Sequence, residues 1–401
     1  MKNRLTEFLI YATIFFLPAY LVRFSILGVP TNTLDVLMLV AIVSGFIFLE
    51  PSSWKLQELG SRRKIVFCLS LILCGLLLST LVNKNYMTGF GIIKSWIVLP
   101  LLFSWIAIAV IPEEKRKNIF WVYYFSTLAV AIISLGYYIS GQVSFDGRLQ
   151  GIFNSPNYLA MYLATAIIIA VAQMQNVKIK MQNDNAKLKI IFFAISLLLV
   201  SIAFYLTFSY AAWMAVVASL AITHFIKNKK INTHLVVTIS LILLAIFVSQ
   251  RNTEKFQNLE KYTRSSVESR MMIWNSAAKI LGDNIIFGIG PGNFQQKYLE
   301  YQKYFPPYLE WAVPHPHNLY LAWWLYGGIL SLAGFVALIF FWLREMLAKE
   351  KNSLWAISFA MMLYFLIHGL ADTTYFKNDL AVIFWLNLFI SLFYTISRLR
   401  G

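Results

Sequence analysis

Long apolar runs recur along almost the whole chain and are separated by short polar segments. Most of these runs exceed the roughly 17 residues that an α-helix needs to cross a bilayer. The pattern therefore predicts an all-α protein, a polytopic transmembrane bundle of about twelve helices. The predicted spans are residues 8–27, 34–49, 65–82, 90–111, 119–139, 157–174, 189–208, 210–226, 235–249, 318–343, 354–371 and 380–396.

The composition agrees with a protein that lies in the lipid bilayer. Of its 401 residues 59% are hydrophobic and 13% are charged, whereas soluble domains average about half and about a quarter. The net charge of +16 is scattered over short loops and forms no continuous basic face, so nucleic acid is not a predicted partner. Cys68 and Cys74 lie about 120° apart on one helix, which disfavours a disulfide between them.

The basic residues predict the orientation of the bundle. With the N-terminus inside, 21 of the 34 Lys and Arg residues fall in short inner loops, and one long outer segment is exempt from the positive-inside rule. Both termini are therefore predicted to face the cytoplasm. The chain divides into an N-terminal bundle of about nine spans (1–249), an outer region with short amphipathic helices (250–317) and a C-terminal bundle of about three spans (318–401).

Few ionisable residues lie within or near the predicted spans, and most of them are toward the outer ends. This group consists of Arg23, Asp35, Lys94, His368 and Asp372, with His224 at an inner end. Their placement predicts that any chemistry faces outward. Each residue also has a structural alternative: Lys94 can snorkel to the interface, and Arg23 and Asp35 can pair at a helix end.

The long outer segment contains a predicted helix. Ser265 and Glu268 form a capping box, and Gly282 ends the helix. One face is apolar and is expected to pack on protein or on the membrane interface, through Ile273, Trp274, Ala277, Ile280 and Leu281. Arg264 and Arg270 flank the capped end, where guanidinium groups and free backbone N–H groups together favour a phosphate. Solvated surface arginines are the alternative.

The chain has no HExxH, CxxC or paired-carboxylate motif, and neither a metal nor a cofactor is predicted. The stretch "GIGPGNF", Gly288–Phe294, is similar to a dinucleotide-binding fingerprint only superficially, because no buried strand precedes it. It is predicted to form turns.

The stretch "HPHN" marks the start of a predicted span. Pro314 and Pro316 cannot continue a helix and are expected to keep the chain extended up to His317, after which Asn318 begins the span. The positive end of the helix dipole favours a neutral imidazole at this position. His317 is therefore a candidate general base, and His315 a candidate sugar-binding or orienting residue. A polar interfacial cluster that merely begins a span is the alternative.

Four segments together resemble the O-antigen ligase and polymerase superfamily. They are "RLQGIFNSPNYLAMYLA" (Arg148–Ala164), "SRMMIWNSAAKILGDNIIFGIGPGNF" (Ser269–Phe294), "HPHNLYLAWWLYGGILSL" (His315–Leu332) and "HGLAD" (His368–Asp372). The most specific part is the histidine and asparagine pair, which an arginine-bearing helix precedes by about fifty residues.

The resemblance implies a membrane glycosyltransferase on the outer side of the bacterial inner membrane. Such an enzyme takes a glycan from an undecaprenyl-diphosphate carrier and joins it to a sugar hydroxyl of a glycolipid or glycan acceptor. In ligases the acceptor is the core of a lipopolysaccharide, and in polymerases it is another carrier-linked repeat unit. A ligase is the favoured prediction and a polymerase the alternative. The family's essential histidine matches His317, and its outer-loop arginine matches Arg270.

One departure from the family pattern concerns the donor diphosphate. Where family members often have an arginine after a serine, this chain has Tyr210 after Ser209. The candidate diphosphate-binding residues are therefore Arg270, Arg264, Arg148 and Lys94. The candidates for acceptor binding or orientation are His315, Asn318 and Asp372, with helix capping as the alternative for Asp372. Direct attack of the hydroxyl on the anomeric carbon predicts inversion without a metal.

A flippase or transporter of lipid-linked oligosaccharides is the alternative from another class. Transporters of this kind often contain internal repeats and helices broken near the bilayer midplane. Neither half of this sequence visibly repeats the other, and the polar residues concentrate in a single outer segment. This concentration favours chemistry at the membrane surface over alternating access.

Overall fold

The computed structural model describes residues 2–26, 28–49, 62–174, 184–229, 245, 248–253, 256–257, 266–306 and 312–393. Most of these residues are helical, and one two-stranded hairpin is the only sheet among them. The elements are α1 (Lys2–Phe15), β1 (Arg23–Ile26), β2 (Val29–Asn32), α2 (Thr33–Phe48), α3 (Arg63–Val82), α4 (Tyr86–Ile93), α5 (Leu99–Val110), α6 (Lys117–Ile139), α7 (Pro156–Met174), α8 (Asp184–Leu206), α9 (Tyr210–Asn228), α10 (Ser266–Asp283), α11 (Phe294–Tyr301), α12 (Leu319–Ala348), α13 (Ser353–His368) and α14 (Asn378–Leu392).

Six helices of the described chain are long and apolar enough to cross a membrane. They are Arg63–Val82, Tyr86–Val110, Glu113–Ile139, Pro156–Gln173, Tyr210–Asn228 and Leu319–Ala348. Four shorter apolar helices are Thr33–Phe48, Ile191–Leu206, Ser353–His368 and Asn378–Leu392. These ten helices coincide with ten of the predicted spans. The span predicted at 235–249 lies largely outside the described residues, so the total of about twelve stays a prediction.

The first predicted span, residues 8–27, is wrong in its second half. The helix α1 ends at Phe15, and a short 3₁₀ turn that contains Pro18 follows it. The chain then forms the hairpin β1–β2, whose turn contains Gly28 with a φ of 79°. Hydropathy reports that these residues are apolar, but it does not report that proline interrupts helical hydrogen bonding or that glycine favours a tight hairpin turn.

Three cations converge on the C-terminal end of α14. The Arg62 side chain donates a hydrogen bond to the Leu392 carbonyl (2.6 Å), Arg116 donates one to the Phe393 carbonyl (2.7 Å), and Lys349 also donates to Leu392 (2.8 Å). The last carbonyls of a helix lack partners within the helix, and cations are favourable there. The contacts bring three predicted inner loops and the end of α14 to one end of the bundle, as the predicted topology requires.

The helices α3 and α12 approach each other closely through small residues. A Cβ atom on Gly75 would lie 2.6 Å from the Gly327 carbonyl oxygen, and one on Gly334 would lie 2.9 Å from the Cys68 carbonyl oxygen. Small residues allow such backbone contact between membrane helices. Cys68 is buried and Cys74 is exposed, and both are free thiols.

The helix α12 is broken at Gly328, and the loop after α10 fills the break. Gly328 has a φ of 66° and a ψ of −169°, a conformation that is essentially confined to glycine. The Leu325 carbonyl accepts a hydrogen bond from Ile289 N (2.7 Å), and Ile329 N donates to the Ile286 carbonyl (3.1 Å). The turns predicted for "GIGPGNF" are present, and they attach the loop to α12.

Replacing Gly328 by alanine is expected to lower the thermal unfolding temperature by several degrees. An added Cβ would lie 2.0 Å from the Ile286 carbonyl oxygen, and the backbone conformation alone costs a non-glycine residue about 1–3 kcal/mol. The measurement is intrinsic-fluorescence unfolding of the purified protein in detergent. The matched control is Gly136→Ala, since a Cβ at Gly136 on α6 meets no atom within 4 Å. Equal unfolding temperatures for wild type and Gly328→Ala would contradict this account of the break.

Candidate active site

The candidate site begins at the N-terminal cap of α12. The Asn318 side-chain oxygen accepts hydrogen bonds from the backbone N–H groups of Tyr320 and Leu321, both at 3.0 Å. Its amide nitrogen donates to the Leu370 carbonyl (3.0 Å), in the segment that follows α13. Asparagine is a favoured N-cap residue for this reason. The side chain of Asn318, a predicted acceptor contact, is therefore engaged in joining α12 to the loop that contains Asp372.

His317 has a left-handed backbone with a φ of 46°. Such a conformation is uncommon for a residue with a side chain, and it persists only where the surroundings hold it. Two contacts do so: the Trp274 indole N–H donates to the His317 carbonyl (3.3 Å), and Nδ1 of the ring lies 2.9 Å from Oδ1 of Asp372. The extended chain expected from the flanking prolines thus turns sharply at His317 itself.

Asp372 is the centre of the polar cluster. Its side chain is 2% exposed, and its second oxygen lies 3.5 Å from a guanidinium nitrogen of Arg270 and accepts a hydrogen bond from the Asn157 amide (3.2 Å). Burial raises the pKa of the Asp372 carboxyl, but the neighbouring His317 and Arg270 outweigh it and hold the pKa well below its usual range. The carboxyl group is therefore ionised at neutral pH.

The ionised carboxylate determines the tautomer of His317. A carboxylate only accepts hydrogen bonds, so Nδ1 of His317 must carry the proton that it donates to Asp372. In the neutral ring, Nε2 then has a free lone pair. No hydrogen bond to Nε2 is found within the described part of the chain, and the His317 side chain is 27% exposed. The ring can accept a proton from a bound molecule.

Arg148 joins the cluster through Asn157. Its guanidinium group donates to the Asn157 side-chain oxygen (2.7 Å) and to the Thr207 carbonyl (2.7 Å), and it lies 3.5 Å from the Asp146 carboxylate. Burial lowers the pKa of Arg148, and the charge of the nearby Arg270 lowers it further, against the opposing effect of Asp146. The guanidinium groups of Arg270 and Arg148 are therefore both connected to the Asp372 carboxylate, Arg270 directly and Arg148 through Asn157.

The position of Arg148 bears on the arginine that the family pattern expects at Tyr210. Arg148 Nε donates to the carbonyl of Thr207, and Leu149 N donates to the carbonyl of Leu206 (2.9 Å), both in the turn between α8 and α9. Tyr210 begins α9 directly after this turn, and its hydroxyl donates to Gln250 (3.0 Å). A basic side chain from another part of the chain thus contacts the turn that directly precedes Tyr210.

His315 packs between two tyrosines. Its Nδ1 lies 3.3 Å from the Tyr326 hydroxyl, and its ring centroid lies 6.3 Å from that of Tyr158. Burial, with the nearby His317, lowers the pKa of His315 to about 4, so its ring is neutral at physiological pH. The side chain is half-buried, and its contacts attach the histidine segment to α7 and α12.

Two predicted diphosphate-binding residues are not brought into this cluster. Lys94 lies 3.0 Å from the Asp35 carboxylate and donates to the Pro30 carbonyl (2.9 Å), so it binds the β-hairpin to the bundle. Asp35 therefore pairs with Lys94 and not with Arg23. Arg264, together with the predicted cap of α10, lies outside the described residues.

Sequence reasoning did not single out Asn157, which connects Arg148 to Asp372. It lies within the segment "NSPNYL" that carries part of the family resemblance, at the first turn of α7. Its place in that segment was the only feature of the sequence that could have indicated a role, since a single asparagine after a proline belongs to no periodic pattern. Across the described ranges, no group of three His, Cys, Asp or Glu side chains could hold a metal ion.

The comparisons with known proteins agree with this picture. A family model described as O-antigen ligase matches residues 195–336, about a third of the chain. The match confirms the predicted resemblance to the O-antigen ligase-like superfamily, whose members are membrane glycosyltransferase-like enzymes. The spans and the match together define a multi-pass membrane protein. The search among curated proteins found no match.

Replacing Asp372 by asparagine is expected to weaken the dependence of stability on acid pH. The folded-state pKa of Asp372 is depressed, so its contribution to stability is present above the ordinary carboxyl value of about 4 and is lost as pH falls below it. The unfolding temperature of the wild type should therefore fall more steeply between about pH 5 and 3 than that of Asp372→Asn. Thermal unfolding at stepped pH in detergent measures this difference.

The control for this measurement is Asp283→Asn, at an exposed carboxylate that accepts a hydrogen bond from Tyr301. Exposed pairs contribute little to stability, so this variant should keep the acid dependence of the wild type. The assignment of Asp372 as an ionised, paired carboxylate fails if Asp372→Asn and the wild type lose stability in parallel.

Proposed function

We propose that the protein is an O-antigen ligase-like glycosyltransferase of the bacterial inner membrane. It would transfer a glycan from undecaprenyl diphosphate to a sugar hydroxyl of a lipid-linked acceptor, with its site on the outer side. The observation that carries this proposal is the shared carboxylate of Asp372, 2.9 Å from the His317 imidazole and 3.5 Å from the Arg270 guanidinium. A base and an anion-binding group are thus held side by side.

The proposed site draws residues from all three parts of the predicted division of the chain. Arg148 and Asn157 come from the N-terminal bundle (1–249), and Arg270 and His317 from the outer region (250–317). Asp372 comes from the C-terminal bundle (318–401).

In the proposed reaction His317 is the general base. Asp372 holds the proton on Nδ1, so Nε2 takes the proton from the acceptor hydroxyl. The hydroxyl oxygen then forms a bond to the anomeric carbon of the donor glycan, while the bond from that carbon to the diphosphate oxygen breaks. The electron pair leaves with the diphosphate, and direct displacement inverts the anomeric centre. The negative charge of Asp372 stabilises the imidazolium that results.

The leaving group needs stabilisation of charge more than it needs an acid. A diphosphate is already ionised at neutral pH, and negative charge builds on its bridging oxygen as the bond breaks. Arg270 and Arg148 are the described guanidinium groups of the cluster and are proposed to bind it, with Arg264 as a further candidate. The contacts of Lys94 with the hairpin argue against a direct role for this residue.

Loss of His317 or Arg270 is expected to nearly abolish glycan transfer. His317→Ala should lower the rate by about 10²- to 10⁴-fold, and Arg270→Ala by about 10²- to 10³-fold. The assay joins glycan from an undecaprenyl-diphosphate donor to acceptor with purified protein in detergent. His224→Ala is the control, because His224 lies in the last turns of α9 and bonds only to Asn228 within the described residues. A correctly folded His317→Ala protein that transfers glycan at the native rate would refute the role of His317 as the general base.

The acceptor distinguishes the ligase from its alternatives. The purified protein is given carrier-linked glycan with a lipid A–core acceptor in one reaction, and carrier-linked glycan alone in the other. A ligase should yield product only in the first reaction. A ladder of longer carrier-linked glycans in the second would identify a polymerase. Because detergent provides no sealed compartment, any joined product excludes a flippase as the explanation.

A further inference from the structure

Lys377 is a buried cation with no part in the reaction proposed above. It directly precedes α14, its side chain is 10% exposed, and its ammonium group has no hydrogen-bond partner in the described part of the chain. The nearest carboxylate, that of the buried Asp379, lies 3.7 Å away, beyond hydrogen-bonding distance. Burial lowers the pKa of Lys377 to about 8, against the charge of Asp379 that raises it. The group is therefore still a cation at neutral pH.

Three aromatic rings surround this ammonium group. Their centroids lie 4.1 Å (Phe153), 4.3 Å (Tyr158) and 5.1 Å (Tyr20) from Nζ of Lys377. A cation within about 6 Å of a ring centroid is attracted to the negative face of the ring, most strongly where water is excluded. The attraction acts on both partners, so the rings stabilise the buried charge and the charge holds the rings in place.

Two of these rings belong to the segment that contributes Arg148 and Asn157 to the candidate site. Asn157 bonds to Arg148 and to Asp372, whereas the next residue, Tyr158, contacts Lys377. Successive residues of a helix point about 100° apart, so Asn157 and Tyr158 fix the first turn of α7 in two directions. The start of α7 is therefore attached to one charged group by hydrogen bonds and to another by an aromatic ring.

Tyr158 contacts His315 as well as Lys377, since its ring centroid lies 6.3 Å from that of the histidine. The second neighbour of His315 is Tyr326, whose hydroxyl lies 3.3 Å from Nδ1 and whose ring packs edge-on against Phe376 (4.8 Å). The adjacent residues Phe376 and Lys377 thus each contact a tyrosine that contacts His315. The segment before α14 therefore sets the position of both neighbours of the His315 ring.

The charge of Lys377 also acts on His315. The pKa of His315 is lowered to about 4, mainly by burial and further by the charges of His317 and Lys377, against the opposing effect of Asp372. The titratable groups that face the ring come from its own segment, from α7, from α12 and from the segment between α13 and α14: His317, Tyr158, Tyr326, Asp372 and Lys377. Contact and charge thus act together to keep His315 in place and neutral.

We propose that Lys377 is a positioning residue for acceptor binding: its ammonium group holds Tyr158 against His315, which then presents Nε2 to a sugar hydroxyl of the acceptor. Nδ1 of His315 faces Tyr326, and no hydrogen bond to Nε2 is found among the described residues. The role of His315 toward the acceptor rests on the proposed function. The action of Lys377 on His315 does not.

The first measurement follows the protonation of His315 and does not require glycan transfer. The protein is labelled with ¹³C at Cε1 of histidine, and the His315 resonance, assigned with His315→Gln, is followed by NMR in detergent as pH falls. In Lys377→Met the ring loses burial and a repelling charge, and both losses favour its protonation. The pKa of His315 should therefore rise by about one unit from about 4 toward its ordinary value. Lys377→Arg keeps the cation and should titrate as the wild type.

A second variant guards against misfolding, because Lys377→Met leaves the buried carboxylate of Asp379 without its cation. The double variant Lys377→Met with Asp379→Asn removes both charges of the pair and should show the same shift of His315. The matched control is Lys351→Met. The Lys351 ammonium group also lies over an aromatic ring, that of Trp355 (5.9 Å), but in the segment between α12 and α13, and its loss should leave His315 unchanged.

Kinetics test the link to the proposed function. Lys377→Met should raise the KM for the acceptor about fivefold, which corresponds to the loss of one ordinary hydrogen bond. The kcat and the KM for the donor should stay nearly unchanged, because His317 keeps its bond to Asp372. Lys377→Arg should restore the KM of the wild type.

Two results would overturn the proposal. One is a His315 titration that is the same in the wild type, Lys377→Met and the double variant. The other is a kcat that falls in Lys377→Met while the KM for the acceptor stays constant, since Lys377 would then act on the general base. If the titration shifts but the wild type transfers no glycan, the proposed function fails and the action of Lys377 on His315 stands.

Discussion

The buried carboxylate of Asp372 is the group on which the rest of the site depends. A charge that is only 2% exposed is stable in the folded protein only if its partners offset the loss of water. Those partners are His317 at the start of α12, Arg270 on α10 and Asn157 at the start of α7. The carboxylate thus links three elements, and each of the three polar side chains takes its orientation from the same two oxygen atoms.

The fold brings these partners together by attaching separate helices to each other at defined points. At one end of the bundle, Arg62, Arg116 and Lys349 bind the terminal carbonyls of α14. Nearer the site, the loop after α10 occupies the break in α12 at Gly328, and its hydrogen bonds fix the position of α10 relative to α12. Both attachments use backbone carbonyls that have no hydrogen-bond partner within their own helix. The geometry of the site therefore depends on the hydrogen bonds that other parts of the chain donate to these carbonyls.

The sequence was informative where the signal is local, and it carried little information about which distant partner a charged side chain contacts. Ten predicted spans coincide with apolar helices, six of which are long enough to cross a membrane, whereas the first was drawn too long because hydropathy does not detect the interruption at Pro18. The motif resemblance selected His317 and Arg270, which the structure places on one carboxylate. For Lys94, a residue predicted to bind phosphate, the structure shows contacts with Asp35 and the Pro30 carbonyl, which no local pattern indicates.

The sequence by itself determined the membrane class of this protein, the helix that bears Arg270 and the proline-flanked histidine before a span, because periodicity and residue type act over a few neighbours. Only the tertiary structure decided that Asp372 is the common partner, since Asn157 lies 215 residues away along the chain and His317 lies 55. The stability of a buried charge depends on all groups within a few ångströms. Which groups those are is set by helix packing, and no local pattern encodes it.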